Sequence, residues 1–110
     1  GSSYDTGSAT DQLWHVHTLR MANTATGQTI ATTTTYRIDG TAQTLTRQTG
    51  TGLWQGMASS NQIAIGALPT SVAATALSGD VAIVLTYARA LTDAECSQVE
   101  RYALAWLTNT

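Results

Sequence analysis

One stretch near the C-terminal end decides the fold: residues Leu77–Leu107 read LSGDVAIVLTYARALTDAECSQVERYALAWL. Between residues 81 and 87, large apolar side chains occupy the odd positions, and the even positions are small but nearly as apolar. A strand with one face in water alternates apolar with polar residues. Because this segment does not alternate, the sequence predicts a central strand that is covered on both faces.

A helix follows this strand after a short turn. Thr92 and Glu95 have the spacing of a capping box, in which each side chain accepts a hydrogen bond from the other residue's amide. The sequence therefore predicts a C-terminal helix over residues 93–107. Its core-facing stripe is expected to contain Cys96, Val99, Ala103 and Trp106, and its polar side Gln98, Glu100 and Arg101.

The composition indicates one folded, mainly β domain. Of 110 residues, 43% are hydrophobic and only 11% are charged, which favours a folded chain over a disordered one. Threonine supplies most of the uncharged polar surface, and this β-branched residue favours strands. Residues 1–11 are small, polar and rich in Gly and Ser, so a linker or flexible lead-in is predicted there, followed by a single domain over residues 12–110.

The charge pattern argues against two classes of partner. The formal net charge is −2, and the five basic residues are all Arg and form no cluster. Nucleic acids and anionic membranes both attract proteins with a positive surface, so neither is expected as a partner. No apolar run reaches the roughly 18 residues that span a bilayer, and membrane insertion is not expected. Because the chain starts without Met, we expect an excised or processed piece.

Alternating residues predict further strands before the central one. Asp39-Gly40 separates two alternating segments, which is a strong hairpin signal because a type I′ turn needs positive φ at both central residues. Pro69 lacks a backbone donor and is expected to end a short strand. The predicted strands cover residues 12–21, 30–38, 41–47 and 62–68, and three glycines around Leu53-Trp54 predict a loop over residues 49–56.

His15 and His17 lie two residues apart on the first predicted strand and are expected to project from one face. Two imidazoles on one face are a start for a metal site. Asp11 and Asp39 are candidates for a third ligand, although nothing in their spacing selects them. The alternative is a partly buried polar pair without a metal, and the residues leave both interpretations open.

Trp54 is the leading candidate for ligand binding. An aromatic ring in a Gly-flanked loop can stack on a sugar, and Gln55 and Asn61 can supply hydrogen bonds. The alternative is that Trp54 packs over the edge of the core, as most Trp residues do. Trp14 and Trp106 are expected in the core because of their periodic placement.

Motifs of catalysis are missing from the sequence. No Ser-His-Asp arrangement, phosphate loop, HExxH motif or carboxylate pair at strand spacing is visible, and the acidic residues are few and scattered. Cys96 is the single cysteine, which excludes an intrachain disulfide, and we expect it to be a buried thiol. An enzyme is not expected, and no cofactor is predicted from these residues.

Several segments occur in the order found in one family. From about residue 12 to its end, the chain resembles the C-terminal part of a concanavalin A-like, laminin G-like (LamG) jelly-roll domain of the bacterial or phage type. The segments that carry the resemblance are Trp14-His15, Tyr36–Gly40 (YRIDG), Ile63–Ala67 (IAIGA), Leu77–Ile83 (LSGDVAI), Tyr87–Glu95 (YARALTDAE) and Glu100–Trp106 (ERYALAW).

The resemblance implies a mainly β fold, an antiparallel two-sheet jelly-roll sandwich with one C-terminal α-helix. Family domains are usually much longer, and the strands that precede Trp14 in them are missing here. The sandwich is therefore expected to be incomplete, or to be completed by a partner chain or the parent protein. Calcium is implied by the family, but no ligands can be assigned to positions of this sequence. The acidic motif of its glucanase relatives is also missing, which argues against hydrolysis.

These observations favour a non-catalytic, lectin-like module that binds a carbohydrate or a cell surface and belongs to a larger extracellular or phage tail-type protein. Loops are expected to contact the ligand, with Trp54 and its polar neighbours as the predicted site. The rival hypothesis is a structural or assembly module that mates with other chains in a virion or a similar complex. The expected location is extracellular or on a virion surface.

Overall fold

A three-stranded antiparallel sheet and a C-terminal helix form the centre of the structure. The computed structural model describes residues 3–5, 11, 13–56, 65 and 79–108. In chain order its elements are β1 (Ser3–Asp5), β2 (His17–Met21), α1 (Ile30–Thr33), β3 (Thr34–Ile38), β4 (Thr41–Ala42), β5 (Thr46–Thr49) and α2 (Asp93–Thr108). One sheet has the order β2–β3–β4, and β1 pairs with β5 in a second, two-stranded sheet. The described residues therefore form a mixed fold of antiparallel strands and helix.

The register between β2 and β3 gives the larger sheet two different faces. Directly opposed residues of antiparallel strands share a face, so the pairing determines which side chains lie together. The predicted first strand is correct in place but begins at His17, later than expected. The pairs on the first face are His17 with Ile38, Leu19 with Tyr36 and Met21 with Thr34; those on the second are Thr18 with Arg37 and Arg20 with Thr35.

Helix α2 lies against the second, polar face, and long side chains connect the two elements. Arg20 Nη1 donates to Asp93 Oδ1 at 2.6 Å and to the Leu91 carbonyl at 3.1 Å. Thr18 Oγ1 donates to Glu100 Oε2 at 2.8 Å. These bonds hold the first two turns of the helix over the sheet.

The first face of the sheet, which we call the apolar face, is partly open. Ile38 is buried, but the side chains of Leu19 and Met21 are 61% and 41% exposed. An amphipathic sheet normally buries its apolar side against another layer. This sheet instead covers its polar side with the helix.

The Asp39-Gly40 hairpin is confirmed. Asp39 has φ of 50° and Gly40 has φ of 83°, and Ile38 pairs with Thr41 across the turn. Positive φ at both central residues is the condition for a type I′ turn. The strand after the turn is shorter than predicted: β4 ends at Ala42, and residues 46–49 pair with β1 instead.

The predicted strand over residues 30–38 is wrong in its first part, because Ile30–Thr33 form one helical turn, α1. The Thr29 carbonyl accepts from both the amide and the hydroxyl of Thr32, at 3.2 and 2.9 Å, and from the Thr33 hydroxyl at 3.2 Å. Threonine hydroxyls that bond to a preceding carbonyl compete with strand pairing. The strand therefore begins at Thr34.

The predicted central strand over residues 81–87 is wrong. These residues belong to no strand, and Val81, Val84, Leu85 and Tyr87 are exposed. A strand exists only where a neighbour supplies the other half of its hydrogen bonds. Among the described residues none does so for this segment, so the apolar pattern alone was not sufficient.

The C-terminal helix and its cap are confirmed. The Thr92 amide donates to Glu95 Oε1 at 2.9 Å, and the Glu95 amide donates to Thr92 Oγ1 at 3.2 Å, as a capping box requires. Arg89 adds a two-pronged ion pair to the Glu95 carboxylate, with distances of 2.8 and 2.5 Å. The helix extends to Thr108.

The buried stripe of α2 is only partly as predicted. Cys96 and Ala103 are buried, whereas Trp106 is 40% exposed, and Trp14, also expected in the core, is 52% exposed. Glu100, predicted on the polar side, is buried. Glu100 forms an ion pair with Arg37 of β3, which lies beneath it.

Two further predictions concern residues 1–11 and residues 62–68, most of which lie outside the described part of the chain. Within the predicted linker over residues 1–11, Ser3–Asp5 form β1, which pairs with β5; the division into linker and domain stays a prediction. The predicted strand over residues 62–68 lies outside the described residues except for Ile65, which is exposed.

Candidate functional site

A groove of about 370 Å³ runs between the β3–β4 hairpin and helix α2. We call it the hairpin–helix groove. Both elements contribute charged side chains, and apolar side chains lie beside them. The lining residues are Val16, Arg37, Asp39 and Gly40 from the sheet side and Ser97, Glu100, Arg101 and Leu104 from the helix.

A buried ion pair forms part of the groove wall. Arg37 Nη2 lies 2.6 Å from Glu100 Oε1, and the two side chains are only 14% and 8% exposed. Thr18 Oγ1 donates a hydrogen bond to the other carboxylate oxygen of Glu100, Oε2. Ser97 Oγ accepts a longer hydrogen bond of 3.4 Å from Arg37 Nη2. Separating such a pair would leave two buried charges without compensation, which is energetically costly. The two side chains are therefore held in position.

One nitrogen of this pair has no partner. Arg37 Nε is buried and has no hydrogen-bond acceptor among the described residues. Most buried donors in proteins are satisfied, and an exception calls for a physical explanation. Because the nitrogen is buried, a ligand in the groove does not account for it in this conformation.

A second charged cluster lies at the edge of the groove, where His15 stands between two carboxylates. Its Nδ1 is 2.6 Å from Asp39 Oδ2, and its Nε2 is 2.6 Å from Asp11 Oδ1. An ionised carboxylate only accepts hydrogen bonds, so both ring nitrogens must donate. The arrangement therefore fits a doubly protonated, cationic imidazole.

The three pKa values shift in the directions that this arrangement requires. The hydrogen bond that His15 donates to Asp39, and then the one that it donates to Asp11, raises the pKa of His15 above its ordinary value of 6.5. The His15 bond lowers the pKa of Asp39, with help from the Val16 amide, and likewise lowers that of Asp11, with help from the Leu13 amide. The charged forms of all three groups favour one another.

The hairpin turn positions Asp39. Its Oδ1 accepts from the Val16 amide at 2.9 Å, while its own amide donates to the Val16 carbonyl at 2.8 Å. Positive φ at Asp39 and at Gly40 turns the chain so that the carboxylate reaches back to the segment before β2. The residue predicted as a turn former is thus also a groove residue.

Arg101 differs from the other groove cations. It is exposed on α2, and among the described residues no carboxylate pairs with it. Arg37 is paired with Glu100, and His15 with Asp39 and Asp11. A guanidinium at the groove is therefore available to solvent or to a ligand.

The two histidines proposed as metal ligands have different partners. His17 Nδ1 lies 2.6 Å from the Tyr36 hydroxyl, and the two rings are tilted with centroids 5.8 Å apart. Both nitrogens of His15 are engaged by carboxylates. Among the described residues no group of three or more His, Cys, Asp or Glu is arranged to hold a metal ion.

Trp54 is not among the residues that line the groove, and two backbone hydrogen bonds fix it in a loop. Its amide donates to the Gln28 carbonyl, and its carbonyl accepts from the Gly27 amide, both at 2.7 Å. The Trp54 side chain is half-buried and Gln55 is exposed. Asn61 lies outside the described residues, so the predicted set of three stays a prediction.

The main residues of the groove were not identified from the sequence as a site. Arg37 and Glu100 are 63 positions apart, and no local pattern joins residues at that separation. Asp39 was predicted as a turn residue and as a candidate third metal ligand beside His15 and His17, and not as part of a groove with Arg37 and Glu100.

Comparison with protein-family models, with curated proteins and with solved structures gives no match to this chain. The laminin G-like resemblance therefore depends on the sequence segments alone. Within the described part of the chain, no helix has the length and apolar character needed to cross a bilayer.

Proposed function

We propose that this chain is a non-catalytic carbohydrate- or cell-surface-binding module of a larger extracellular or phage tail-type protein. The observation that carries the proposal is the hairpin–helix groove, in which fixed charged side chains border an open volume. Sugars present many hydroxyl groups, which charged donors and acceptors bind well when their geometry is already set.

The dimensions and lining of the groove support a small polar ligand. Its volume of about 370 Å³ lies at the lower end of the range for ligand pockets. Asp39 and Ser97 offer oxygen acceptors, and Ser97 is also a donor. Val16 and Leu104 offer apolar surface for the C–H face of a sugar ring.

The carboxylate at the turn suits a ligand that presents hydroxyl groups. The pKa of Asp39 is lowered by its bond to His15. This carboxylate is therefore suited to accepting hydrogen bonds from hydroxyl groups.

A glycan array tests the proposal, with Asp39→Asn and Asp80→Asn as matched variants. We expect the unmodified protein to bind at least one glycan class, and Asp39→Asn to weaken that binding, because Asn tolerates positive φ but loses the charged acceptor. Asp80 is exposed and does not line the groove, so its variant should bind normally. An array without binding, or equal loss in both variants, would contradict the proposal.

The loop at Trp54 provides a second, separable test of the predicted contacts. If Trp54 stacks on the ligand, Trp54→Ala lowers glycan affinity while the melting temperature stays the same. If the residue packs over the core edge, the variant lowers the melting temperature and the affinity of the folded fraction is unchanged.

A second candidate function, a structural or assembly module, is favoured by the open apolar face of the sheet. Sandwich folds bury such a face against a second sheet, and exposed Leu19 and Met21 fit that role. We propose that the fold is a jelly-roll-type sandwich whose second layer comes from the parent protein or from a partner chain.

Light scattering separates this candidate from a monomeric lectin. If the apolar face mates with other chains, the protein forms stable oligomers, and Leu19→Lys dissociates them because a charge cannot be buried there without a partner. Tyr102→Lys is the control, since Tyr102 is an exposed aromatic residue on α2 and not on this face. A monomer at all concentrations, together with glycan binding, would rule out the assembly role for this chain alone.

A further inference from the structure

We infer that the hairpin–helix groove selects acidic glycans, with the guanidinium of Arg101 binding a sugar carboxylate. This inference depends on the proposed carbohydrate-binding function and specifies its ligand class.

Among the charged side chains that line the groove, Arg101 is the one without a partner of opposite charge among the described residues. Arg37 pairs with Glu100 at 2.6 Å, and Asp39 pairs at 2.6 Å with His15, which also pairs with Asp11. Arg101 has no carboxylate partner among the described residues. The lining charges balance overall, but the Arg101 guanidinium is free to pair, and an anionic group on the ligand complements it.

The shape of the free group favours a carboxylate. A guanidinium is planar and presents two parallel N–H donors at the spacing of carboxylate oxygens. A uronic or sialic acid offers a carboxylate for Arg101 and hydroxyl groups for Ser97 and Asp39.

The remaining lining matches the rest of such a sugar. Asp39 Oδ2 and Ser97 Oγ can accept from hydroxyl groups, and Leu104, 42% exposed, can contact the ring. The Asp39 carboxylate stands at the hairpin, and the free Arg101 guanidinium stands on the helix. A ligand with a carboxylate on one side and hydroxyls on the other satisfies both.

The test compares acidic glycans with their carboxyl-reduced forms on one array. Galacturonate, glucuronate and sialic acid oligosaccharides are each placed beside the same oligosaccharide with its carboxylates reduced to alcohols. We expect the acidic forms to bind about fivefold more tightly at low salt, the gain of one partly exposed ion pair, and the preference to decline as NaCl is added.

Two variants assign the preference to Arg101. Arg101→Gln should bind acidic and reduced glycans equally, whereas Arg47→Gln, with the same charge change on β5 outside the groove, should keep the preference. Melting curves of both variants confirm that they are folded. An acid preference that survives Arg101→Gln would overturn the assignment.

The outcomes separate this inference from the proposal beneath it. Equal binding of acidic and reduced glycans by the unmodified protein would overturn the acidic ligand class while leaving carbohydrate binding intact. Absence of binding to every glycan on the array would overturn both.

Discussion

At the scale of single residues, the groove depends on a few charged side chains whose partners are distant in sequence. Glu100 and Arg37 come from the helix and the sheet, and each would be an isolated buried charge without the other. Asp39 serves both as a turn residue and as a partner of His15. Replacing one residue of the Arg37–Glu100 pair or of the His15–Asp39 pair should therefore also affect the partner residue and the stability of the protein.

Glu100→Gln should destabilise the protein by about 3 kcal/mol, because the Arg37 charge stays buried without compensation. The free energy of unfolding from urea titration measures this change. The double variant Arg37→Met/Glu100→Leu should recover most of the loss, since no buried charge remains. Asp93→Asn is the control: the Asp93 side chain is 82% exposed in its pair with Arg20, so the cost should be below about 1 kcal/mol.

His15 makes stability depend on pH. Its pKa is raised in the folded state, so its contribution is complete below the ordinary value of 6.5 and is lost as pH rises through the raised value. The pKa values of Asp11 and Asp39 are lowered, so their contribution is complete above 3.8 and is lost as pH falls through the lowered values. The cluster should stabilise most between about pH 4 and 6.5.

Melting temperatures measured from about pH 4 to well above pH 6.5 test the effect. His15→Asn should flatten the decline of the melting temperature above pH 6.5, because the titrating group is removed. His17→Asn should leave the decline in place, since His17 bonds to the Tyr36 hydroxyl and to no carboxylate. A decline that persists in His15→Asn and disappears in His17→Asn would contradict the assignment.

At the scale of elements, helix α2 and the β3–β4 hairpin create the groove by approaching each other. The helix begins at a capping box, which satisfies amides that have no partner within the helix. The hairpin turns through two residues of positive φ. Both elements are specified by residues adjacent in sequence.

Thr92→Ala should lower the free energy of unfolding by about 1 kcal/mol, because the Glu95 amide loses its acceptor at the helix start. Thr86→Ala is the matched control, an exposed threonine outside any helix or strand, and should change stability little. Urea titration of both variants gives the comparison. Equal effects would mean that the capping box does not determine where the helix begins.

Local signals account for what the sequence could predict. The cap at Thr92 and the turn at Asp39-Gly40 each depend on contacts within four residues, and both are confirmed. The segment 81–87 has a strand pattern but no pairing partner among the described residues, and Thr32 and Thr33 bond to Thr29 instead of extending β3. The Arg37–Glu100 pair depends on how two distant elements pack, which no local pattern contains.

At the scale of the whole molecule, the two sides of the larger sheet have different properties. The polar side, with Arg37 and Thr18, meets helix α2 and borders the groove. The apolar side leaves Leu19 and Met21 exposed. A ligand on one side and another layer of protein on the other can be accommodated at the same time, so the two proposed functions are compatible with one chain.

The most direct test of the central claim, that the hairpin–helix groove binds carbohydrate, is an NMR titration of isotope-labelled protein with the best glycan from the array. The account predicts that the backbone amide signals of Arg37, Gly40 and Ser97 shift with increasing glycan and saturate together. Signals of α1, Ile30–Thr33, should stay in place. Saturating shifts confined to residues outside the groove, such as Trp54 and Gln55, would contradict the claim.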